Sequence, residues 1–394
     1  MRYITGIVIA FFLAGLLLSK KNKSTADKLL SAWLCIIGLH LTLFYFVFTG
    51  KMLQFPWLLG WEIPLPLVHG PFLYLYSAAL VNRLPVNRKW TLLHFIPAAL
   101  TYLYLIGFFV LSAEQKIFVY QHEGRGYETF RLISLIAIII SGIAYIIWSN
   151  LLLIKHRKAI VNQFSSTDKI NLKWLQYLSF GIGAIWLAVI MGSDEVTFTV
   201  VVLFILFMGY FGIKQVGIFT ESVPPKINEG SRLEVPVVAF QYNQPIKQSV
   251  EPEVTIESVF ESSDKRKYSR SGLSVDMAEN LHKELVQLME REKVYSESEL
   301  SLAQLAKRLG VHPNYLSQVI NEKERKNFYD YINTLRIEEF KRLIVNPSNQ
   351  KFTILSLAYE VGFNSKSSFN RYFKKETSKS PSEYLRDLNI VEQE

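Results

Sequence analysis

The run Leu305-Ala306-Lys307-Arg308-Leu309-Gly310-Val311 recurs 52 residues later as Leu357-Ala358-Tyr359-Glu360-Val361-Gly362-Phe363. In both runs a small residue stands four positions before a glycine. A small side chain lets two helices cross closely, and glycine permits the tight turn between them, so each run is typical of a helix-turn-helix. The repeat predicts two such units, over residues 302–321 and 354–376.

The segments around the two units predict how they begin and how far apart they lie. Ser301 and Gln304 have the spacing of a capping box, and Thr353 is the corresponding N-cap of the second unit. Between the units, Phe328–Val345 has the period of one amphipathic helix, which would be ~27 Å long. Successive major grooves on one face of B-DNA lie ~34 Å apart, so this rod would hold the units near a two-groove spacing.

A longer signature surrounds the second unit: Ile354-x3-Ala358-x3-Gly362-Phe363-x-Ser365-x3-Phe369-x3-Phe373-Lys374-Lys375, followed by Ser380-Pro381-Ser382-Glu383-Tyr384. It resembles the DNA-binding domain of the AraC/XylS-type bacterial transcription regulators, over about residues 273–386. The resemblance implies an all-α domain of about seven helices, here bounded at 268–394, that binds double-stranded promoter DNA, and a homodimer is a further expectation. Arg325 and Ser378 stand where this family commonly has glycine. Because other residues are disfavoured at positive φ, the geometry of these two turns is expected to be altered.

The resemblance assigns one reading helix to each unit, Pro313–Glu322 and Ser365–Glu376. Asn and Gln side chains pair bidentately with adenine, and Arg pairs with guanine, in the major groove. The side chains expected to contact DNA bases are Asn314, Tyr315, Ser317, Gln318 and Asn321 on the first helix and Lys366, Ser367, Asn370, Arg371 and Lys374 on the second. Those expected to contact phosphate are Lys323, Lys326, Lys375 and Lys379, together with Lys374. Residues 302–386 hold 15 basic and eight acidic side chains, which suits a polyanionic partner.

The N-terminal half has a different composition. The chain is 50% hydrophobic, which excludes a disordered protein, and seven stretches of at least 17 residues carry no Asp, Glu, Lys or Arg. A helix of ~20 residues spans the ~30 Å hydrocarbon layer of a bilayer. We therefore predict a seven-helix transmembrane bundle over residues 1–220. The stretches are Tyr3–Ser19, Leu29–Gly50, Ile63–Asn82, Trp90–Ala113, Leu132–Ile154, Trp174–Ser193 and Val196–Ile213.

The loops between these stretches predict the orientation. Alternate loops place 12 basic residues on one side of the predicted bilayer and five on the other. Lys and Arg are retained on the cytoplasmic side, so we expect an inner-membrane, multi-pass protein with its N-terminus outside and its C-terminal half in the cytoplasm. Residues 221–267 hold five prolines and show no period, which predicts a flexible linker with an r.m.s. span of roughly 40 Å.

Three polar residues in or near the predicted spans are candidates for a ligand pocket. His40 and His69 are expected at similar depth, and Glu62 at the outer entrance, and ionisable groups in lipid are costly and often functional. Two interpretations stay open: neutral histidines that join helices by hydrogen bonds, and a pocket in which the three residues receive an unknown signal ligand. The single cysteine, Cys35, excludes a disulfide framework and a Cys-rich zinc site, and no metal or cofactor is expected.

The join of the two halves predicts a membrane-integral, one-component transcription regulator. Its membrane domain would sense a signal, and its cytoplasmic domain would bind DNA. The alternative is a membrane receptor or scaffold whose helix-turn-helix module serves protein–protein interaction. An enzyme is not expected, because the predicted cytoplasmic loops contain only Asp27 and Asp168 as acids.

Overall fold

The structure is a computed structural model of the 394-residue chain. It describes residues 2–85, 87, 89–168, 170–190, 194–219, 273–349 and 351–391. The predicted linker, 221–267, lies outside these residues, as do the first five residues of the predicted DNA-binding domain. The described residues are helical and contain no β-strand, which confirms the all-α class for them.

The chain divides into two compact units. Unit 1 comprises Met1–Lys158 and Lys169–Ser222, and unit 2 comprises Ala159–Asp168 and Val223–Glu394. The sequence predicted a division near residue 220 alone. The structure differs from that prediction in placing a short polar segment, Ala159–Asp168, with the C-terminal unit.

Unit 1 is a set of helices joined mostly by short turns. Its largest hydrophobic core forms around Trp33, Leu73, Leu178 and Ile205, from four different helices. The helices are α1 (Arg2–Ser19), α2 (Thr25–Phe48), α3 (Pro66–Leu80), α4 (Lys89–Leu92), α5 (Ile96–Tyr104), α6 (Ile106–Phe109), α7 (Ala113–Gln121), α8 (Glu128–Ile160), α9 (Lys173–Ile190) and α10 (Asp194–Phe219).

Helix length tests the predicted membrane spans in part. Among the described residues, α2 and α8 are long and apolar enough to cross a bilayer, and two shorter apolar helices are Ile4–Ser19 and Val196–Gly212. The fourth predicted span is not one helix, because it is divided into α4, a 3-10 turn, α5 and α6, with a proline in the first turn of α5. A bundle of seven spans therefore stays a prediction.

The described part of unit 2 after residue 272 contains seven α-helices, as many as the resemblance implied. Ser301 and Gln304 form the capping box of α12 and Thr353 caps α15, as the sequence predicted. Ser365, predicted as the first residue of the second reading helix, is the N-cap of α16. The helices are α11 (Val275–Glu292), α12 (Leu302–Arg308), α13 (Pro313–Lys323), α14 (Phe328–Ile344), α15 (Ile354–Glu360), α16 (Lys366–Thr377) and α17 (Pro381–Val391).

The turn of each helix-turn-helix depends on a left-handed glycine. Gly310 has φ +66° and Gly362 has φ +101°. A β-carbon at Gly362 would lie 2.7 Å from the carbonyl oxygen of Ser296, so close approach as well as φ requires glycine there. Arg325 and Ser378 also have positive φ, 53° and 61°. The expectation that these two turns would be altered is therefore wrong: both keep the left-handed geometry, which costs a non-glycine residue about 1–2 kcal/mol.

Helix α14 contributes to the two larger cores in the described part of unit 2. Its first half contributes Phe328 and Ile332 to a core with α12 and α13, and its second half contributes Ile337 and Phe340 to a core with α15 and α16. Each helix-turn-helix thus packs on its own half of one continuous helix, as the predicted rod required.

Candidate nucleic-acid interface and ligand cavity

The second reading helix, α16, has one buried face and one polar face. Phe369, Tyr372 and Phe373 are buried at helical spacing in the core that α14 shares with α15. The side chains that the sequence assigned to DNA lie outside this core and are all exposed: Lys366, Ser367, Asn370, Arg371 and Lys374. The backbone N–H of Ser368 donates to the hydroxyl of the N-cap Ser365 at 3.1 Å.

The first reading helix, α13, is covered on two sides. Asn314 is exposed, and Ser317 and Asn321 are half-buried, with Asn321 Nδ2 donating to Ser317 Oγ at 3.4 Å. Gln318, expected to be exposed, is only 7% exposed, and its Nε2 donates to Glu322 at 3.0 Å. Tyr315 is half-buried beside the small core that α11 forms with α13. Because α11 packs against α13, this side of the reading helix is less accessible than its sequence indicated.

Four of the five lysines assigned to phosphate have partners in unit 2. Lys375 Nζ lies 2.6 Å from Asp330, Lys379 Nζ lies 2.8 Å from Asp387, and Lys323 Nζ lies 3.5 Å from Glu279. Lys326 is half-buried and donates to Thr334 Oγ1 at 3.0 Å. Lys374 is exposed on α16. Surface ion pairs contribute only about 0–1 kcal/mol, so a phosphate can replace the carboxylates.

One acid lies on the polar face of α16. Asp168 accepts hydrogen bonds from the hydroxyls of Ser365, at 2.7 Å, and Ser368, and it pairs with Arg371 Nη2 at 3.1 Å. Burial opposes ionisation of this carboxyl, but the hydrogen bonds from Ser368, Ser365 and Arg371 outweigh it and hold its pKa below the ordinary value. This contact was not predicted, since the segment before Asp168 carries no motif.

The buried anchor of the segment 159–168 is Arg336 on α14, which is 1% exposed. Its guanidinium donates to the hydroxyl and carbonyl of Ser165, at 3.2 and 3.5 Å, and to the carbonyl oxygens of Tyr295 and Glu297, at 2.6 and 2.7 Å. A fifth hydrogen bond reaches Asn333 Oδ1 at 3.2 Å. The planar donor fork of arginine suits such a set of convergent oxygens.

Unit 1 contains a cavity of about 210 Å³ that brings two of the three predicted ligand-pocket residues together. His40 Nδ1 and His69 Nε2 lie 2.9 Å apart. The remaining wall is mostly apolar and comes from α2, α3, α8, α9 and α10, with Trp33, Phe44, Leu73, Ile146, Trp186 and Phe204 among its residues. Glu62 lines a different cavity, of about 930 Å³, where Tyr120 donates a hydrogen bond to it. The structure therefore does not bring Glu62 to the two histidines.

The directions of the hydrogen bonds show which ring nitrogen of each histidine carries the proton. Trp33 Nε1 is a donor only, and it lies 3.3 Å from His69 Nδ1, so that nitrogen accepts. His69 must then carry its proton on Nε2 and donate it to His40 Nδ1. His40 in turn carries its proton on Nε2. The series of hydrogen bonds from Trp33 through His69 thus ends at the Nε2–H donor of His40, a residue that lines the cavity.

Comparisons with known proteins concern the C-terminal part. Residues 305–387 match the family model described as a helix-turn-helix domain. The chain is 33% identical over 92 residues to the uncharacterized HTH-type transcriptional regulator YijO of Escherichia coli strain K12, which is 23% of this chain and 31% of that protein. It is 36% identical over 89 residues to the uncharacterized HTH-type transcriptional regulator YobQ of Bacillus subtilis strain 168, which is 23% of this chain and 36% of that protein. It is 28% identical over 91 residues to the Msm operon regulatory protein of Streptococcus mutans, which is 23% of this chain and 32% of that protein. No solved structure matches the chain.

The chain spans about a third of the length of these curated relatives. It carries a helix-turn-helix domain at its C-terminal end, which confirms the prediction made from the repeat. The matched family model begins at residue 305, so the predicted membrane domain stays a prediction.

Proposed function

We propose that this protein is a membrane-integral transcription regulator that binds promoter DNA through α13 and α16. The observation that carries the proposal is the pair of reading helices, each held on a separate core of the same helix, α14. The second presents an unbroken polar face that includes Asn370 and Arg371. Side chains of this kind read base edges in the major groove, and the relatives' names are those of transcriptional regulators.

The membrane part of the proposal is supported by the surface of α8. A long apolar helix in a soluble protein is normally a core helix, but only 17% of an apolar 18-residue stretch of α8 is buried. Ile133, Ile136, Ile140, Ile143 and Ile147 are all about half exposed or more. Such a surface is stable in lipid rather than in water.

The DNA-binding proposal is tested on the full chain in lipid nanodiscs. We expect it to enrich a defined site from a random duplex library, and Arg371→Ala to weaken binding to that site by about 10–100-fold, as for loss of one bidentate base contact. Lys283→Ala, on the exposed side of α11, is the matched control and removes one positive charge outside both reading helices.

Two outcomes would contradict the DNA-binding proposal. If neither the wild-type chain nor its variants enrich any duplex, the module does not bind DNA and protein–protein interaction becomes the better explanation. If Arg371→Ala and Lys283→Ala weaken binding equally, α16 does not read bases.

The sensor part of the proposal assigns the 210 Å³ cavity to a small, uncharged, largely apolar molecule that carries one acceptor oxygen. Apolar cavities of about 150 Å³ hold a ligand the size of benzene. The wall here is mostly apolar. A carbonyl or ether oxygen can accept a hydrogen bond from the Nε2–H of His40.

The matched probes are a cyclic ketone and the cycloalkane of the same ring size. One hydrogen bond contributes about 0.5–1.5 kcal/mol net, so the ketone should bind roughly threefold to tenfold more tightly. His40→Phe should remove this preference while leaving cycloalkane binding in place. Equal binding of ketone and cycloalkane to the wild-type chain, measured by thermal shift in nanodiscs, would count against the assignment.

A further inference from the structure

The segment Ala159–Asp168 begins with the last two residues of α8 and ends before α9, yet it belongs to the compact unit that carries the reading helices. Three backbone hydrogen bonds join it to that unit. Tyr329 N–H donates to the carbonyl of Val161 at 2.9 Å, Leu302 N–H donates to Gln163 at 2.9 Å, and Ser165 N–H donates to Leu300 at 3.1 Å. We call residues 159–168 the docked loop.

The docked loop contacts all three parts of the double helix-turn-helix. Its middle forms an isolated antiparallel bridge between Phe164 and Ser301, the N-cap of the first unit. Ser165, 1% exposed, is held by Arg336 of the shared helix α14. Beyond it, Ser166 Oγ accepts from Asn364, which precedes the second reading helix, at 2.8 Å. Contacts that are this extensive and this buried define one position of the loop on the module.

The end of the docked loop occupies donors that DNA would use. The carboxylate of Asp168 accepts hydrogen bonds from the hydroxyls of Ser365 and Ser368, at the start of α16, and from the guanidinium of Arg371. Hydroxyls at a helix N-terminus and an arginine one turn later are groups that bind a DNA phosphate or a base edge. A carboxylate in this place has the charge of a phosphate, so it both competes for the donors and repels the DNA backbone.

We infer that the docked loop is an internal competitor of DNA: its release from α16, led by Asp168, is required before the second reading helix can bind a duplex. The inference rests on the proposed DNA-binding function. It gives the two units a covalent means of communication, because the docked loop connects α8 and α9, both of which line the His40–His69 cavity. On this inference, a change in either helix would be passed along the chain to the loop whose Asp168 holds Ser365, Ser368 and Arg371.

The first test compares the affinity of wild-type and Asp168→Asn chains, in nanodiscs, for the duplex enriched as described above. Loss of charge-assisted hydrogen bonds at a half-exposed site should raise DNA affinity by about tenfold. Glu290→Gln, an exposed acid at the end of α11, removes the same charge from unit 2 without touching the docked loop. Its affinity should stay within about twofold of wild type.

The second test follows the docked loop directly. Thr167, 9% exposed, is replaced by cysteine in a Cys35→Ala background, and the rate of maleimide labelling is measured. Labelling should be slow in the free protein, and saturating duplex should accelerate it about tenfold or more. Asp168→Asn should accelerate it without DNA.

The outcomes separate the inference from the function on which it rests. If the duplex binds wild type and Asp168→Asn equally, or binds the variant more weakly, or if DNA leaves the labelling rate unchanged, the docked loop does not compete with DNA, although DNA binding stands. If no chain, including Asp168→Asn, binds any duplex, the proposed function fails and the inference fails with it.

Discussion

Replacing Arg336 with alanine is expected to destabilise unit 2 by about 4 kcal/mol. The side chain is one of the largest that unit 2 buries completely, and its guanidinium donates five hydrogen bonds. Burial lowers the pKa of the guanidinium to about 10, so it remains charged at neutral pH. Alanine would leave a cavity and strand the carbonyl oxygens of Tyr295 and Glu297, each at about 1–3 kcal/mol.

The measurement is hydrogen exchange on the full chain, with peptides from α12 to α16 reporting the opening free energy of unit 2. Arg336→Lys keeps the charge but not the planar fork, so it should recover only part of the loss. Arg342→Ala is the matched control, since Arg342 lies on the same helix, is exposed and pairs with Glu339. A loss below about 1 kcal/mol for Arg336→Ala would mean that the guanidinium network is not what fixes these segments.

What could be predicted from the sequence is local. Ser301, Thr353 and the two turn glycines lie next to the helices that they begin or join, and the rod ends within a residue of its predicted limit. Caps and turns depend on a few neighbouring residues, so their spacing carries the information.

What could not be predicted depends on packing between distant segments. Tyr315 is half-buried beside the core that α11 forms with α13, and Gln318 is only 7% exposed, although no feature of α13 itself indicates either. Glu62 was placed near His40 and His69 by depth along the predicted spans. Depth fixes a height but not which helices are neighbours, and Glu62 instead faces Tyr120. The docked loop was missed for the same reason: a polar segment without a period specifies no partner.

The dependence of DNA binding on salt is expected to be steep. Neutralising the five phosphates assigned from the sequence gives a slope of about −4.5 in a plot of log K against log salt, and about −3.6 if Lys326 stays on Thr334, so raising monovalent salt from about 50 to 200 mM should weaken binding roughly 150-fold to 500-fold. The structure indicates which lysines set this slope. Lys374 is exposed on the reading helix, whereas Lys326 is half-buried and already donates to Thr334.

The two lysines therefore form a matched pair of variants. Lys374→Ala should make the slope shallower by about 0.9, the value for one phosphate contact, and should weaken binding to all duplexes alike. Lys326→Ala removes the same charge, but if the bond to Thr334 persists in the complex the slope should not change. Titrations of each variant at four salt concentrations distinguish these results. A wild-type slope near zero would contradict the phosphate assignments as a group, whereas equal changes for the two variants would show that Lys326 leaves Thr334 when DNA binds.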